Sequence, residues 1–518
     1  MTASDTAAPP VRLPRQIPYI VGNEGCERFS FYGMRNILTP FLLTSLLMYL
    51  PEAERPGAAK DVFHTFVIGV YFFPLLGGWL ADRWLGKYRT VLWLSLLYCV
   101  GHAFLAIFEH SVAGFYTGLA LIALGAGGIK PCVSAFVGDQ FDESNRKLAK
   151  VVFDAFYWMI NVGSFFASLL MPYFLRHYGA AVAFGIPGVL MFVATAVFWS
   201  GRRHYVMLPP TQGDPHGFLK VVCTALFAQA PGQGRPGLVV ACVALVLAVA
   251  AFALVPSLGV VASFCLAFVC VLGGLGIGAR MQLERARGRH PDDAIDAVGA
   301  VLRVLLVFAL VTPFWSLFDQ KASTWVLQAN TMAAPEWLHP AQMQAVNPAL
   351  VLLFIPFNNL VVFPLLRRAG IEPTALRRMT TGIVLSAVAW VIVGAIQLAI
   401  DGGDAVSIAW QLVPYSFLTM GEVLVSATGL EFAYSQAPPS MKGTLMSFWT
   451  LSVTVGNLWV LLANAGVRND AVLSGIASTG IGSAAFQMFF FAAFAALAAL
   501  AFGLYARRYR EVDYYRPA

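Results

Sequence analysis

Nine ionisable side chains stand inside apolar stretches of this 518-residue sequence: Glu24, Glu27, Arg28, Arg35, Lys130, Arg303, Asp319, Lys321 and Glu422. A charge at the centre of a membrane helix costs roughly 3 kcal/mol on insertion scales, so nine isolated ones would cost about 27 kcal/mol. They must pair, titrate or line water. Four acids against five bases come close to neutrality, as pairing requires. No H-E-x-x-H, G-x-S-x-G or P-loop pattern accompanies them, so the chemistry expected is the holding and moving of charge, and no enzyme activity is expected.

Spacing narrows the roles. Glu24, Glu27, Arg28, Phe31, Tyr32 and Arg35 follow i, i+3, i+4, i+7, i+8 and i+11, which places them within an arc of about 140° on one helix. A stripe this charged predicts a water-filled cavity rather than a lipid contact. With the N-terminus taken as cytoplasmic, Glu24, Glu27 and Arg28 lie in the inner half of the first span, and Arg35 lies about 16 Å further out. Lys130 falls in the inner half of a returning span and is the expected partner of Glu24 or Glu27. Asp319 and Lys321 reach the level of Arg35, so Arg35 with Asp319 forms a candidate gate, made in one state and broken in another.

Arg28 with Lys130 makes a cationic spot suited to a carboxylate, and Glu422 suits an ammonium group. A ligand spanning both would be a zwitterion. Other polar residues stand in register: Tyr157, Asn161 and Ser164; His64 and Tyr71; Trp315 and Asp319; Glu422 and Ser426; and Asn347 before Pro348. Tyr32, Tyr71, Tyr157, Trp315 and Trp449 are candidate pocket walls, although aromatic residues in an apolar bundle also serve packing. For His64 a helix–helix hydrogen bond and a part in proton coupling both stand open.

The elements that position these residues follow from composition. The chain is 58% hydrophobic and 12% charged, against about 25% charged in an ordinary soluble domain. Apolar runs long enough to cross the bilayer fall near 17–50, 57–83, 89–109, 113–140, 148–178, 181–200, 237–255, 257–284, 292–329, 341–368, 373–401, 404–436, 439–468 and 478–508. This predicts an all-α polytopic membrane protein of about 14 transmembrane helices, and the alternating strands of a barrel are absent from the pattern. The net charge of +7 comes from location: about 25 Lys and Arg fall in tails and inner loops and about 4 in outer loops, which orients both termini to the cytoplasm. Nucleic-acid binding is not expected. The seven cysteines form no C-x-x-C pair and are expected as free thiols, and no metal or cofactor is expected. Residues 1–16 lack a signal-peptide h-region, so the first span is expected to be retained.

The spans divide as six, two and six: an N-terminal tail (1–16), a six-helix bundle (17–200), a cytoplasmic linker (201–236), an inserted two-helix hairpin (237–291), a second six-helix bundle (292–508) and a C-terminal tail (509–518). Two six-helix halves around a midplane site are the layout of a rocking secondary transporter. The hairpin carries no acidic or basic residue until Arg280 and reads as lipid-facing. The turn Gly77-Gly78-Trp79-Leu80-Ala81-Asp82-Arg83-Trp84-Leu85-Gly86-Lys87 has a weak echo in Pro373, Thr374, Arg377, Arg378, Met379 and Gly382, as duplication of the halves would leave.

Several motifs then converge. Glu24-Gly25-Cys26-Glu27-Arg28-Phe29 with Tyr32-Gly33 resembles the first-helix signature of the proton-dependent oligopeptide transporters of the major facilitator superfamily. Gly127-Gly128-Ile129-Lys130-Pro131 leading to Gly138-Asp139-Gln140-Phe141, Phe156-Tyr157 with Ile160-Asn161-Val162-Gly163-Ser164, Phe314-Trp315 with Phe318-Asp319-Gln320, and Thr428-Gly429-Leu430-Glu431-Phe432 with Tyr434-Ser435-Gln436-Ala437-Pro438 match in the family's order. The resemblance implies import of di- and tripeptides with protons, in a bacterial inner membrane, by a monomer. It implies proton coupling at Glu24, Glu27 and Arg28; a peptide carboxylate at Arg28 and Lys130; backbone contact at Asn161; the amino end at Asn347 and Glu422; and a periplasmic gate of Arg35 and Asp319 with Lys321 nearby. It matches Tyr32 and Tyr71 to ligand-lining tyrosines and His64 to a histidine that animal relatives use in proton coupling. Phe31 stands where many members have Tyr, Cys132 where Asn is usual and Ala427 where Pro is common. Carriage of nitrate or another small solute on the same fold is the rival reading, and a passive channel is a further one.

Overall fold

The computed structural model describes residues 13–141, 146–210, 214–229, 232–436, 438 and 441–509. Most of both expected tails, together with Gly213 and Ala437, lie outside the described residues. Glycine and proline set the breaks between long helices. α1 (Ile17–Phe41) runs on through a π-turn to Leu46, and α2 (Arg55–Leu85), α3 (Lys87–Ile107) and α4 (Val112–Gly138) follow. The stretch Arg146–Ser200 is helical except at Gly179, where φ is 82° and ψ 175°. A backbone with φ that positive favours a residue without Cβ, so the chain folds back there, and two helices, α5 (146–178) and α6 (180–200), result.

α7 (Pro236–Leu258) and α8 (Val260–Met281) form the hairpin, turning at Gly259. The second half comprises α9 (Asp292–Ala329), α10 (Pro340–Arg368), α11 (Ala375–Asp401), α12 (Ile408–Ala433), α13 (Lys442–Val467) and α14 (Ser483–Ala506). With α5 and α6 separated, and with α1, whose charges distinguish it from the uniformly apolar spans, fourteen long helices are present among the described residues. The first expected span overshoots: the π-turn ends at Leu46 and bends precede Arg55.

Each half has its own apolar centre. One contains Phe31, Phe41, Phe63, Phe115, Phe136, Phe184 and Phe198; the other contains Phe314, Trp325, Trp390, Tyr415, Phe432 and Phe491. Backbones touch where glycines meet: a Cβ on Gly77 would lie 2.3 Å from the Gly128 Cα, so α2 and α4 approach without intervening side chains. The linker is not a plain loop, for it carries the apolar helix Phe218–Phe227. Gln282 ties that helix to the base of the hairpin by donating to the carbonyls of Ala225 and Leu226 at 2.9 and 2.7 Å.

The hairpin's outward surface is apolar and largely exposed, as expected for a lipid-facing element. It nevertheless touches both halves. Phe72 of α2 stacks edge-on against Phe264 and Phe268 of α8, and Ile68 of α2, Ala262 and Cys265 of α8, and Leu458 and Leu461 of α13 share one buried cluster.

Candidate functional site

The charged stripe of α1 faces the interior. Arg28 Nε donates to Glu24 Oε1 at 2.6 Å and lies 2.8 Å from Glu27 Oε2. One N–H serves one acceptor well, and Glu24 receives it. Glu27 is 0% exposed and neither of its oxygens accepts a hydrogen bond. A buried carboxylate without hydrogen bonds keeps its charge only through the neighbouring cation, so moving Arg28 away would leave Glu27 as the acid that protonation relieves most. Ordinary helix geometry brings these three together, since positions three and four apart share a face.

Lys130 departs from expectation. It forms no ion pair among the described residues; its Nζ sits 4.0 Å from the centre of the Phe31 ring and 4.6 Å from that of Tyr71. The reason is competition for the close positions: Arg28, on the same helix as both acids, holds the short contacts to them, and Lys130 offsets the remaining negative charge from further away. Phe31 therefore supplies a face on which the ammonium rests.

Toward the far end of the bundle, away from the start of α1, Arg35 Nη2 meets Asp319 Oδ1 at 2.6 Å, joining the two halves. Asp319 Oδ2 accepts from Asn457 Nδ2 at 2.7 Å. The same Nδ2 donates to the Val453 carbonyl, leaving Asn457 Oδ1 as acceptor for His64 Nδ1 at 2.6 Å. His64 Nδ1 therefore carries a hydrogen, and Nε2 meets the Ser323 hydroxyl at 2.9 Å. That hydroxyl can donate to a neutral ring or accept from a protonated one. His64 thus belongs to the network around the Arg35–Asp319 pair, and a second proton on it would leave no partner lost. Asn457 and Ser323 were not singled out from sequence: an Asn and a Ser in apolar helices give no local signal, and only their depth beside Asp319 reveals them.

Further contacts close the same end. Thr39 donates to the Ala322 carbonyl at 2.8 Å, Gln344 to the Asn36 carbonyl at 3.0 Å and Lys60 to Gln487 at 3.0 Å. Asp61 accepts from Asn464 at 3.1 Å and pairs with Arg468 at 2.5 Å.

The second half holds a separate relay. Lys321 Nζ donates to Asn347 Oδ1 at 2.5 Å, and Asn347 Nδ2 donates to Glu422 Oε2 at 2.6 Å and to Thr419 at 2.9 Å. Asn347 and Glu422, which the resemblance pairs, come into contact, with Lys321 as the cation linked to Glu422 through the amide. Trp315 and Trp449, by contrast, are buried against each other with ring centres 5.8 Å apart, and the Trp315 N–H is used by Ser452. Gly429 leaves the space that Trp449 fills. Asn161 donates to the Tyr157 carbonyl one turn earlier at 3.0 Å, and Ser426 is half-buried. Arg303 is half-buried too, below this level.

A cleft of about 220 Å3 lies between Tyr157 of α5 and a wall formed by Ile355, Asn358, Phe363, Arg378, Val423 and Glu431 of α10, α11 and α12. The polar contacts between the halves described above thus gather at the far end, and this cleft lies toward the near end. At that end Lys87 reaches both oxygens of Asp139 at 2.9 and 2.7 Å, so the basic turn after α2 fastens α4.

Comparison with known proteins follows the geometry. The model of the POT family matches residues 88–465, and that of MFS/sugar transport proteins matches residues 3–161. Solute carrier family 15 member 2 of Mus musculus is 34% identical over 406 residues, 75% of this chain and 50% of the relative. Peptide transporter family 1 of Drosophila melanogaster is 34% identical over 413 residues, 76% of this chain and 49% of the relative. The chain spans about half the length of these curated relatives. A crystal structure of an auto inhibited POT family peptide transporter is 66% identical with a TM-score of 0.95, covering 98% of this chain and 99% of that one. The crystal structure of a POT family transporter in complex with a thioalcohol conjugated peptide, 18% identical with a TM-score of 0.72 and covering 95% and 96% of the two chains, shares the fold.

Proposed function

Because this chain belongs to the POT family, we propose that it is a proton-coupled symporter that imports di- and tripeptides by alternating access. The observation that carries this reading is Arg28 held between two buried acids, one of which, Glu27, lacks any hydrogen bond. That arrangement ties the position of a cation to the protonation of an acid. A proton arriving on Glu27 removes one of the two negative charges that hold Arg28, so that a peptide carboxylate beside Lys130 can compete with Glu24 for the guanidinium; deprotonation returns Arg28 to both acids and releases the peptide. Asn347 and Glu422 hold the amino end, Asn161 the backbone, and Tyr32, Tyr71 and Tyr157 bound the side-chain space.

Arg35, Asp319, Asn457 and His64 form the periplasmic gate, and the near end is cytoplasmic. The protein lies in a bacterial inner membrane with both termini in the cytoplasm. The membrane potential contributes roughly 2.3 kcal/mol per charge per 100 mV to each inward proton. Since one chain supplies both walls of the cavity, a monomer suffices.

Uptake of labelled dialanine into proteoliposomes under an imposed pH gradient tests the reading. We expect accumulation that unlabelled dipeptides compete away and nitrate does not. Glu27→Gln should abolish accumulation; undiminished gradient-driven uptake by that variant would remove Glu27 from the coupling mechanism.

A further inference from the structure

The near-end cleft contains two polar groups that the bundle leaves without partners. Asn358 is 1% exposed, its Oδ1 accepts nothing, and its amide reaches only the Met420 sulfur at 3.4 Å. Arg378 Nε is likewise buried and donates to nothing. Both residues line the cleft. A buried donor or acceptor left unsatisfied costs about 1–3 kcal/mol, and here two of them bound one space.

The local backbone is unusual on both sides. Asn358–Val362 of α10 and Val423–Ala427 of α12 are each π-turns, and each contributes residues to the cleft wall. π-turns inside α-helices concentrate at functional sites because the inserted residue re-aims its neighbours.

The ion pair at this place is loose. Arg378 Nη2 lies 3.5 Å from Glu431 Oε2, whose side chain is 68% exposed. Lys87 and Asp139, at the corresponding turn of the first half, make two bonds under 3.0 Å. A long pair whose acid is exposed, such as Arg378–Glu431, is worth about 1 kcal/mol or less, so a ligand carboxylate can displace Glu431.

We propose that Arg378 and Asn358 form a second peptide subsite on the release path, with Arg378 taking the carboxylate and the Asn358 carbonyl accepting a backbone N–H; this rests on the peptide-transport reading. Glu431 lies nine residues along α12 from Glu422, about 13 Å at 1.5 Å per residue. A dipeptide extends at most about 7 Å and cannot occupy both places. The subsite is a separate station that receives the peptide after it leaves Arg28 and Lys130. The cleft of about 220 Å3 is smaller than the roughly 300–1,000 Å3 that hold drug-sized ligands, which suits one or two residues. Tyr157, from the opposite half, closes over this station when the near end shuts.

The test is counterflow in right-side-out membrane vesicles, measuring the apparent KM for internal dialanine separately from that for external dialanine. Arg378→Gln should raise the internal KM about fivefold, roughly 1 kcal/mol, and leave the external KM unchanged. Asn358→Leu should shift it in the same direction. Glu431→Gln should leave the internal KM unchanged or lower it, because it frees Arg378. With C-terminally amidated dialanine inside, Arg378→Gln should cost nothing further. Equal losses in Arg378→Gln and Glu431→Gln, or an equal loss with the amidated peptide, would show a merely structural ion pair and overturn the proposal. Wild-type vesicles that exchange no dialanine would overturn the transport reading and this subsite with it; exchange that is identical in all variants overturns the subsite alone.

Discussion

Asn457 joins three elements through one side chain: its amide holds Asp319 and the Val453 carbonyl, and its oxygen holds His64. Asn457→Leu keeps the volume and removes all of these bonds, stranding a carboxylate oxygen and an imidazole N–H. Each stranded group costs about 1–3 kcal/mol, charged only against the state in which the far end is closed. The expected result is a population shift toward far-end opening, read as faster labelling of Thr39→Cys by an impermeant maleimide in the variant than in the parent. Labelling at the parental rate would show that Arg35 and Asp319 alone hold the gate. Much of this site was legible from residue types and depth: acids and bases at helical spacing located α1, and the level of Asp319 along its span located the gate pair. Lys130 faces Glu27 without a short ion pair, because spacing gives depth but not which cation comes closest, and Arg28 lies nearer to both acids. Asn457 and Ser323 were silent because neutral polar residues are ordinary in membrane helices.

At the scale of elements, helix contacts without side chains control how close the walls of the cavity stand. Gly77 and Gly128 let α2 and α4 touch backbone to backbone, which sets the distance from Tyr71 on α2 to Lys130 on α4. Gly77→Val should overpack this contact, because its Cβ would fall on the Gly128 backbone, costing about 1–3 kcal/mol, and should lower the thermal midpoint of the purified protein. Gly185, on α6, has open space where its Cβ would go. Gly185→Ala should raise the midpoint, since alanine is favoured over glycine in a helix interior by about 0.5–1 kcal/mol. A midpoint that moves alike in both variants would refute the backbone-contact argument. Helix number and order were readable because each span is a long apolar run. The helix within the linker, Phe218–Phe227, was missed: ten residues are too few to cross a bilayer, and its role is visible only in the bonds that Gln282 makes to it.

For the whole molecule, the question is what the inserted hairpin does to a machine whose halves must move apart at alternate ends. None of the charged or hydrogen-bonding site residues comes from α7 or α8, so the hairpin supplies no chemistry. Its contacts, however, straddle the moving boundary: α8 packs on α2 through Phe72 and on α13 through Leu458 and Leu461, and Arg468, just past α13, donates to the Ser257 carbonyl at the hairpin tip at 3.4 Å. α2 and α13 belong to opposite halves and meet at the closed far end. Opening that end separates them, and the hairpin can then follow only one. Apolar burial across this joint is therefore available to the far-closed state and lost on opening, which makes the hairpin a brace for the conformation seen here. Its legs meet at the base, where a Cβ on Gly237 would lie 2.1 Å from the Gly278 carbonyl, so residues 236–281 can be replaced by a short flexible linker. The excised protein should fold and retain gradient-driven dialanine uptake, because the cavity is complete without it, while Thr39→Cys labelling rises relative to the intact chain. Phe72→Ala and Leu458→Ala together should reproduce the rise in labelling with the hairpin in place. Parental labelling in both proteins would reduce the hairpin to a lipid-facing insert; loss of uptake in the excised protein alone, with the double variant active, would assign it to assembly of the bundle instead of to the balance between its states.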